Sequence, residues 1–441
     1  MKPLATRLAA YEVFFPLAAA GSIATIALTL FALTGRWIPP AGLSAIDWHA
    51  HEMLFGHFPT AFAGVMLTAL PRWTKGPSPA PANTCRSAPV SRGAPPPPPP
   101  PAPRAPPPAG PPAPAPPAPF APARLAFLFA SNPIWLWASP LALAALTTHA
   151  GSRIVAAGDR RDFGLVALLA GLAVADATFL VTSPSGDASL ALRAAFAAAV
   201  TVAMVMGGRI APALTRHLAD MRGEPQASPT PHGFEIAVFA ISLPALAAWA
   251  FAPRATTTAV ALALAALVHL ARLATWKGWS TVDRPPFLAL HLGYAFLPLG
   301  FATMALAILR DDIDLVDVAA HAWGAGTLGL MCAAIMTSVV RRYSGKALTV
   351  SRLAGALVAA LLVAAFARLA AGFLGLPLGL LHASAAAWIA AYATLLALVA
   401  RDRRLPAPPD GETDQDADGE GEIGGPGGTR TPNQAVMSGR L

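Results

Sequence analysis

Charge is what this sequence has least of. Asp, Glu, Lys and Arg make up 12% of its 441 residues, where a soluble domain carries about a quarter, and that scarcity excludes a large water-soluble core. Cysteine is nearly absent too: Cys85 and Cys332 stand far apart with no CxxC spacing, so neither a disulfide framework nor a structural zinc motif is available. No Gly-rich phosphate loop, nucleophile elbow or HExxH string occurs, and Gly207-Gly208-Arg209 reads as the end of a span; hydrolase chemistry is left without support. The first apolar run, about Phe14 to Thr34, is not followed by a clear small-residue cleavage site. It is expected to be retained as a span and not removed as a signal peptide.

What fills the chain instead is apolar: 55% of residues are hydrophobic and the mean hydropathy is +0.53. With about 20 apolar residues per crossing, spans are expected near 14–34, 50–70, 125–149, 163–183, 188–208, 234–252, 257–275, 287–309, 318–340, 352–374 and 378–400. The expected fold is all-α, a polytopic transmembrane bundle of about eleven visible spans, rich in Ala and Gly where helices pack closely. The formal charge of +8 and pI near 10.2 would suit nucleic acid, but Lys and Arg sit in the short gaps between spans. That placement reports topology.

Read by the positive-inside rule, Lys2 and Arg7 put the N-terminus in the cytoplasm, and Arg401, Arg403 and Arg404 do the same for the C-terminal end. Between them the gaps alternate regularly, with Asp311, Asp312, Asp314 and Asp317 outside and Arg341, Arg342 and Lys346 inside. One break occurs: Arg72 and Lys75 mark an inner gap, and so do Arg153, Arg160 and Arg161 after a single further span. A crossing is missing between 76 and 124.

That interval is dominated by Pro and Ala, with seven consecutive prolines from Pro95 to Pro101. Proline removes a backbone donor and breaks helix interiors, so the stretch is not a membrane helix and reads as extended or disordered. Either it is a cytoplasmic linker with 125–149 folded as a re-entrant hairpin, or it is a twelfth helix overwritten by low-complexity or out-of-frame sequence. The chain thus divides into 1–75 with the first two spans, 76–124 Pro/Ala-rich, 125–402 with the remaining spans, and a Gly-, Pro- and Asp-rich tail over 403–441 that should be disordered.

Chemistry concentrates in Trp48-His49-Ala50-His51-Glu52-Met53, at the outer mouth of the second span. His321 opens another span at that level, and His382 begins the last. Imidazoles meeting from different helices suit haem iron or copper. His49 and Met53 are i and i+4, hence on one helical face, while Glu52 could orient a ligating ring. The plainer reading makes these residues and Trp48 interfacial anchors. Met204, Met206, Met331, Cys332 and Met336 suit Cu(I) but equally suit packing. His269 and His291, near inner ends, could form a second site, line a proton path or make interfacial hydrogen bonds. Asp176, Arg272 and Arg368 lie in or near spans, where charges face the bundle and pair.

Four stretches together resemble one family, the NnrS proteins. They are Trp48-His49-Ala50-His51-Glu52-Met53-Leu54-Phe55-Gly56 with Leu67-Thr68-Ala69-Leu70-Pro71-Arg72-Trp73-Thr74; Gly208-Arg209-Ile210-Ala211-Pro212 with Thr215-Arg216; Trp276-Lys277-Gly278-Trp279 with Leu290-His291-Leu292-Gly293-Tyr294-Ala295-Phe296-Leu297-Pro298-Leu299-Gly300; and His321-Ala322 with Met336-Thr337 and Ser344-Gly345-Lys346-Ala347-Leu348. The resemblance covers nearly the whole membrane region. It implies twelve spans, haem and copper, a bacterial inner-membrane location, and a role in the response to nitric oxide and nitrosative stress, often beside denitrification. Nitric oxide or a metal-nitrosyl species would then be the small partner and the lipid bilayer the large one. On that basis His49, His51 and His321 are the expected cofactor ligands, with Met53 and His291 as weaker metal candidates and Glu52 as support. Two departures stand out: Tyr343 occupies a position where the family commonly has histidine, and the third helix is replaced by the proline segment. A metal-free solute or proton transporter, using intramembrane His, Asp and Arg as a relay, is the alternative from another class. A damaged copy that never inserts stably is the third.

Overall fold

The computed structural model describes residues 9–73, 132–158, 162–343, 352–375 and 377–403. All regular structure among these residues is helical. α1 is Ala10–Leu33. A second rod joins α2 (Ala45–His51), a π-helical stretch (Glu52–His57) and α3 (Phe58–Trp73). There follow α4 (Ala138–Ala157), α5 (Phe163–Thr182), α6 (Ser189–Met221), α7 (His232–Phe251), α8 (Thr256–Ala274) and α9 (Pro285–Arg310). Another composite rod joins α10 (Ile313–His321), a second π-helical stretch (Ala322–Gly329) and α11 (Leu330–Tyr343), before α12 (Arg352–Phe373) and α13 (Leu378–Arg403). Each of the eleven expected spans therefore has a helical rod, and nine rods are long and apolar enough to cross a bilayer. The protein is a polytopic membrane bundle.

The bounds follow local chemistry. Ser44 caps α2 by accepting from the Asp47 amide, and Asp312 caps α10 by accepting from the Asp314 and Leu315 amides, each satisfying donors that a helix start leaves unpaired. Gly158 closes α4 at φ 66°, in the left-handed region that a residue with a Cβ disfavours. Two expectations need correction. The third span, expected over 125–149, has its regular helix from Ala138 to Ala157, behind a tight turn at Pro133–Trp137 that Asn132 caps, while 125–131 lie outside the described residues. Gly207-Gly208 is no span end: α6 runs 33 residues from Ser189 to Met221 and passes straight through Pro212. Membrane helices tolerate such prolines because neighbours re-satisfy the freed carbonyl.

The direction of the rods matters for the site. Trp48, at the start of the second rod, packs with Leu136, just ahead of α4, and with Leu28, Trp37, Leu43 and Leu180 around them. The starts of the second rod and of α4 therefore share one end of the bundle with the ends of α1 and α5. These two rods run parallel. The proline-rich interval and the tail themselves lie outside the described residues. α1 packs on α3 and α13, α9 on α8 and on both halves of the second composite rod, and one contiguous apolar core links them. Small residues permit the closest approaches: a Cβ at Gly300 would overlap the Trp323 indole.

Candidate metal centre

The histidine motif lies where an α-helix changes to a π-helix. His49 and His51 close α2, the wider turn begins at Glu52, and the Phe58 amide reaches the Met53 carbonyl, an i to i−5 bond. His321 sits in the same position on its own rod, as the last residue of α10 before the π-helical stretch. Single π turns inside α-helices shift the phase of the side chains and recur at functional sites. Met53, expected on the face of His49, lies within this stretch, half-buried and packed against the apolar core.

Across the bundle, the His49 and His321 rings face each other nearly parallel, with centroids 6.4 Å apart and planes 17° from each other. Hydrogen bonding assigns a tautomer to each. The Thr29 hydroxyl donates its one proton to the Thr25 carbonyl at 2.7 Å, so its oxygen can only accept from His49 Nδ1, 3.2 Å away. His321 Nδ1 lies 2.9 Å from the Asp317 carbonyl oxygen and 3.2 Å from its Oδ1, both acceptors. Each neutral ring thus carries its hydrogen on Nδ1 and keeps an unprotonated lone pair on Nε2. Asp317 is anchored in turn by Arg368, whose Nη2 lies 2.8 Å from Oδ1 and 2.7 Å from Oδ2. A carboxylate behind an imidazole is the arrangement that orients metal-binding histidines and raises their basicity.

His51 points elsewhere and is spent. It is fully buried, with Nε2 2.9 Å from Asp176 Oδ1 and Nδ1 3.2 Å from Glu52 Oε1, while Ser139 donates to Asp176 Oδ2 at 2.6 Å. Glu52 therefore supports His51 and not the facing pair. His57 is occupied on both nitrogens as well, Nδ1 by the Ala18 carbonyl at 3.1 Å and Nε2 by the Tyr392 hydroxyl at 2.9 Å. His382 is exposed and bonds back to the Leu378 carbonyl, away from the pair.

The opposite end carries a second polar network. Arg272 pairs with Glu235, donates to the Met204 carbonyl at 3.0 Å and meets the Tyr294 hydroxyl at 2.8 Å; Tyr294 contacts His269 Nδ1 at 2.7 Å, and His269 Nε2 contacts Ser242 at 3.0 Å. Gly208 belongs to this network, because a Cβ there would overlap the Arg272 guanidinium. His291 Nε2 bonds Thr215 at 2.7 Å, its Nδ1 is buried without a hydrogen-bond partner, and Gly278 is pressed on its ring. The sequence placed Asp176, Arg272 and Arg368 inside the bundle; their partners prove to be His51, Glu235 and Asp317.

With this geometry in place, a family model described as NnrS protein matches residues 6–88 and 104–401. The chain belongs to the NnrS family. The match passes through most of the proline-rich interval and leaves out only 89–103, which holds the seven consecutive prolines. No curated protein matches the chain. Family likeness implies haem and copper, and the two facing imidazoles fit that implication: their lone pairs are of the donor type both metals take. Among the described residues, no three His, Cys, Asp or Glu side chains come together as a metal-holding group.

Proposed function

We propose that this NnrS protein is an inner-membrane haem/copper protein of the response to nitric oxide and nitrosative stress, working beside denitrification, with His49 and His321 as protein ligands of its metal at the outer end of the bundle. One observation carries the reading: two buried or half-buried imidazoles from different rods, each fixed on Nδ1 and each left with a bare Nε2, face each other across 6.4 Å. A bound haem iron or copper would supply an open-shell centre able to take nitric oxide. The chain's own part is to fix the tautomers, hold the rings parallel through Thr29 and Asp317, and surround them with apolar helix. His51 and Glu52 then serve as the buried brace that ties the second rod to α5, and His291 as a brace between α6 and α9.

The test is spectroscopic. Purified in mild detergent, the full chain should show a Soret band or a copper signal that His49→Ala or His321→Ala removes while His291→Ala leaves it in place; a colourless, metal-free protein would sink the reading. The second reading, a metal-free transporter, draws on the buried Ser139, Asp176, His51 and Glu52 chain. Proton-coupled flux in proteoliposomes that needs Asp176 but no metal would favour it.

A further inference from the structure

Arg368 stands beside the facing imidazoles with part of its guanidinium unspent. Its Nη2 donates to Asp317 Oδ1 and lies 2.7 Å from Oδ2, whereas Nη1 and Asp317 Oδ2 are both buried without a hydrogen-bond partner. A guanidinium never gives up its charge, and a buried charged N–H without a partner costs more than a neutral one. Such an orphan in a native structure calls for a missing group. If balancing Asp317 were the sole task of Arg368, Nη1 would close on the unpartnered Oδ2, as bidentate pairs usually do. Instead one arm holds the aspartate and the other is left over.

Charge and access give the missing group its character. Arg368 and Asp317 cancel, and the two neutral imidazoles add nothing. A cation held on the Nε2 lone pairs would leave net positive charge in a poorly solvated place, which a negative oxygen offsets. The place can be entered: the His321 and Asp317 side chains are 24% and 34% exposed, and Arg368 retains 16%. Guanidinium N–H groups recognise carboxylates and oxyanions better than any other ligand class.

We infer that Arg368 is an anion-holding residue of this centre, its Nη1–H donating to an anionic oxygen bound next to the His49 and His321 pair. The inference rests on the reading of that pair as a metal centre. The shared chemistry, a carboxylate-like oxygen, has two sources: a propionate of a bound tetrapyrrole, or a free small oxyanion such as nitrite or formate.

The experiment compares the full-length wild type with Arg368→Gln, Arg368→Lys and His321→Ala in detergent. Haem and copper content, the melting midpoint, and calorimetric titration with nitrite and with formate are measured on each. A free-anion site predicts that Arg368→Gln keeps its metal and melting midpoint but binds nitrite and formate at least ten-fold more weakly, with Arg368→Lys between. A propionate site predicts that Arg368→Gln retains at most a tenth of the haem, with copper content unchanged. Wild-type haem retention and wild-type anion affinity in Arg368→Gln overturn the inference, as does a fall in melting midpoint alone. Unchanged metal content in His321→Ala, by contrast, defeats the metal-centre reading, and the anion titrations still judge Arg368 by themselves.

Discussion

The two ends of this bundle spend their histidines differently. At the end holding His269, every polar atom of the Glu235, Arg272, Tyr294, His269 and Ser242 chain named above has a partner, and Gly208 is hollowed to admit the guanidinium. At the other end His49 and His321 are each satisfied on one nitrogen only. Inside a membrane bundle, a polar chain closed on itself stabilises and orients helices, because the alternative is an unpaired group in hydrocarbon. An imidazole fixed on one side and open on the other is a ligand held ready. Residue type does not separate the two, and the count of satisfied nitrogens does not do so alone, since His291 is bonded only through Nε2 to Thr215 and its Nδ1 has no partner; what sets His49 and His321 apart is that two such rings from different rods face each other. His51 and His57 sharpen the point, since they lie within eight residues of His49 by sequence number yet are fully occupied.

The largest effect should come from the open pair. His49→Ala or His321→Ala is expected to reduce bound metal to background with little change in the melting midpoint in detergent, because neither ring is part of the closed network. The same substitution at His57 should do the reverse, lowering the midpoint while metal stays. Equal loss of metal from all three variants would erase the contrast.

Next comes the closed chain. Arg272→Ala strands Glu235, which is 28% exposed, and leaves the Tyr294 hydroxyl to His269 alone; breaking a buried ion pair costs about 3–5 kcal/mol, and the partial exposure of Glu235 sets this one at the low end or below. A fall of several degrees in the melting midpoint, without loss of metal, is the expected result. Gly208→Ala pushes a methyl against the same guanidinium and should cost about 1–3 kcal/mol, the usual range for overpacking. If Gly208→Ala melts like the wild type, α6 does not press on Arg272 as described.

How much of this was legible beforehand can be judged on particular residues. The rods were, because spanning length and apolar composition leave helices as the only solution for a backbone in hydrocarbon. The crossing expected between 76 and 124 falls outside the described residues. Shared depth grouped His49, His51, His321 and His382, but did not show which two of them meet. Which histidine was open could not be read: His49 and His51 take different faces of α2, and which face is spent is decided by Asp176, 125 residues away from His51. Asp317 looked like loop charge and is in fact the carboxylate behind His321, because the helix starts at Ile313 and puts it one turn before the ring. The signal was present in the i, i+4 spacing of Asp317 and His321, and it was hidden by counting the aspartates as topology markers alone.

Asp317→Asn tests that carboxylate directly. It keeps shape and an acceptor oxygen for His321 Nδ1 but removes the charge, and loss of such support typically weakens metal binding about 10–100-fold. Competition with a chelator of known affinity would read this, at unchanged midpoint. An affinity within a factor of two of wild type would make Asp317 a partner of Arg368 alone.

The smallest effect belongs to the other ring. Thr29→Val preserves volume approximately and deletes the acceptor of His49 Nδ1, so the ring loses a neutral hydrogen bond worth about 1 kcal/mol and is free to carry its hydrogen on either nitrogen. Metal affinity should fall by about five-fold, which is what 1 kcal/mol amounts to at room temperature, with the midpoint nearly constant. Thr29→Ser restores the oxygen and should restore the affinity. Because Thr29 is on α1 and Asp317 on α10, far apart in sequence and without a shared partner, the losses from Thr29→Val and Asp317→Asn should multiply in the double variant if each acts through its own ring. A double variant no worse than Asp317→Asn would mean that only His321 holds the metal, and that the parallel His49 ring packs against it as a wall.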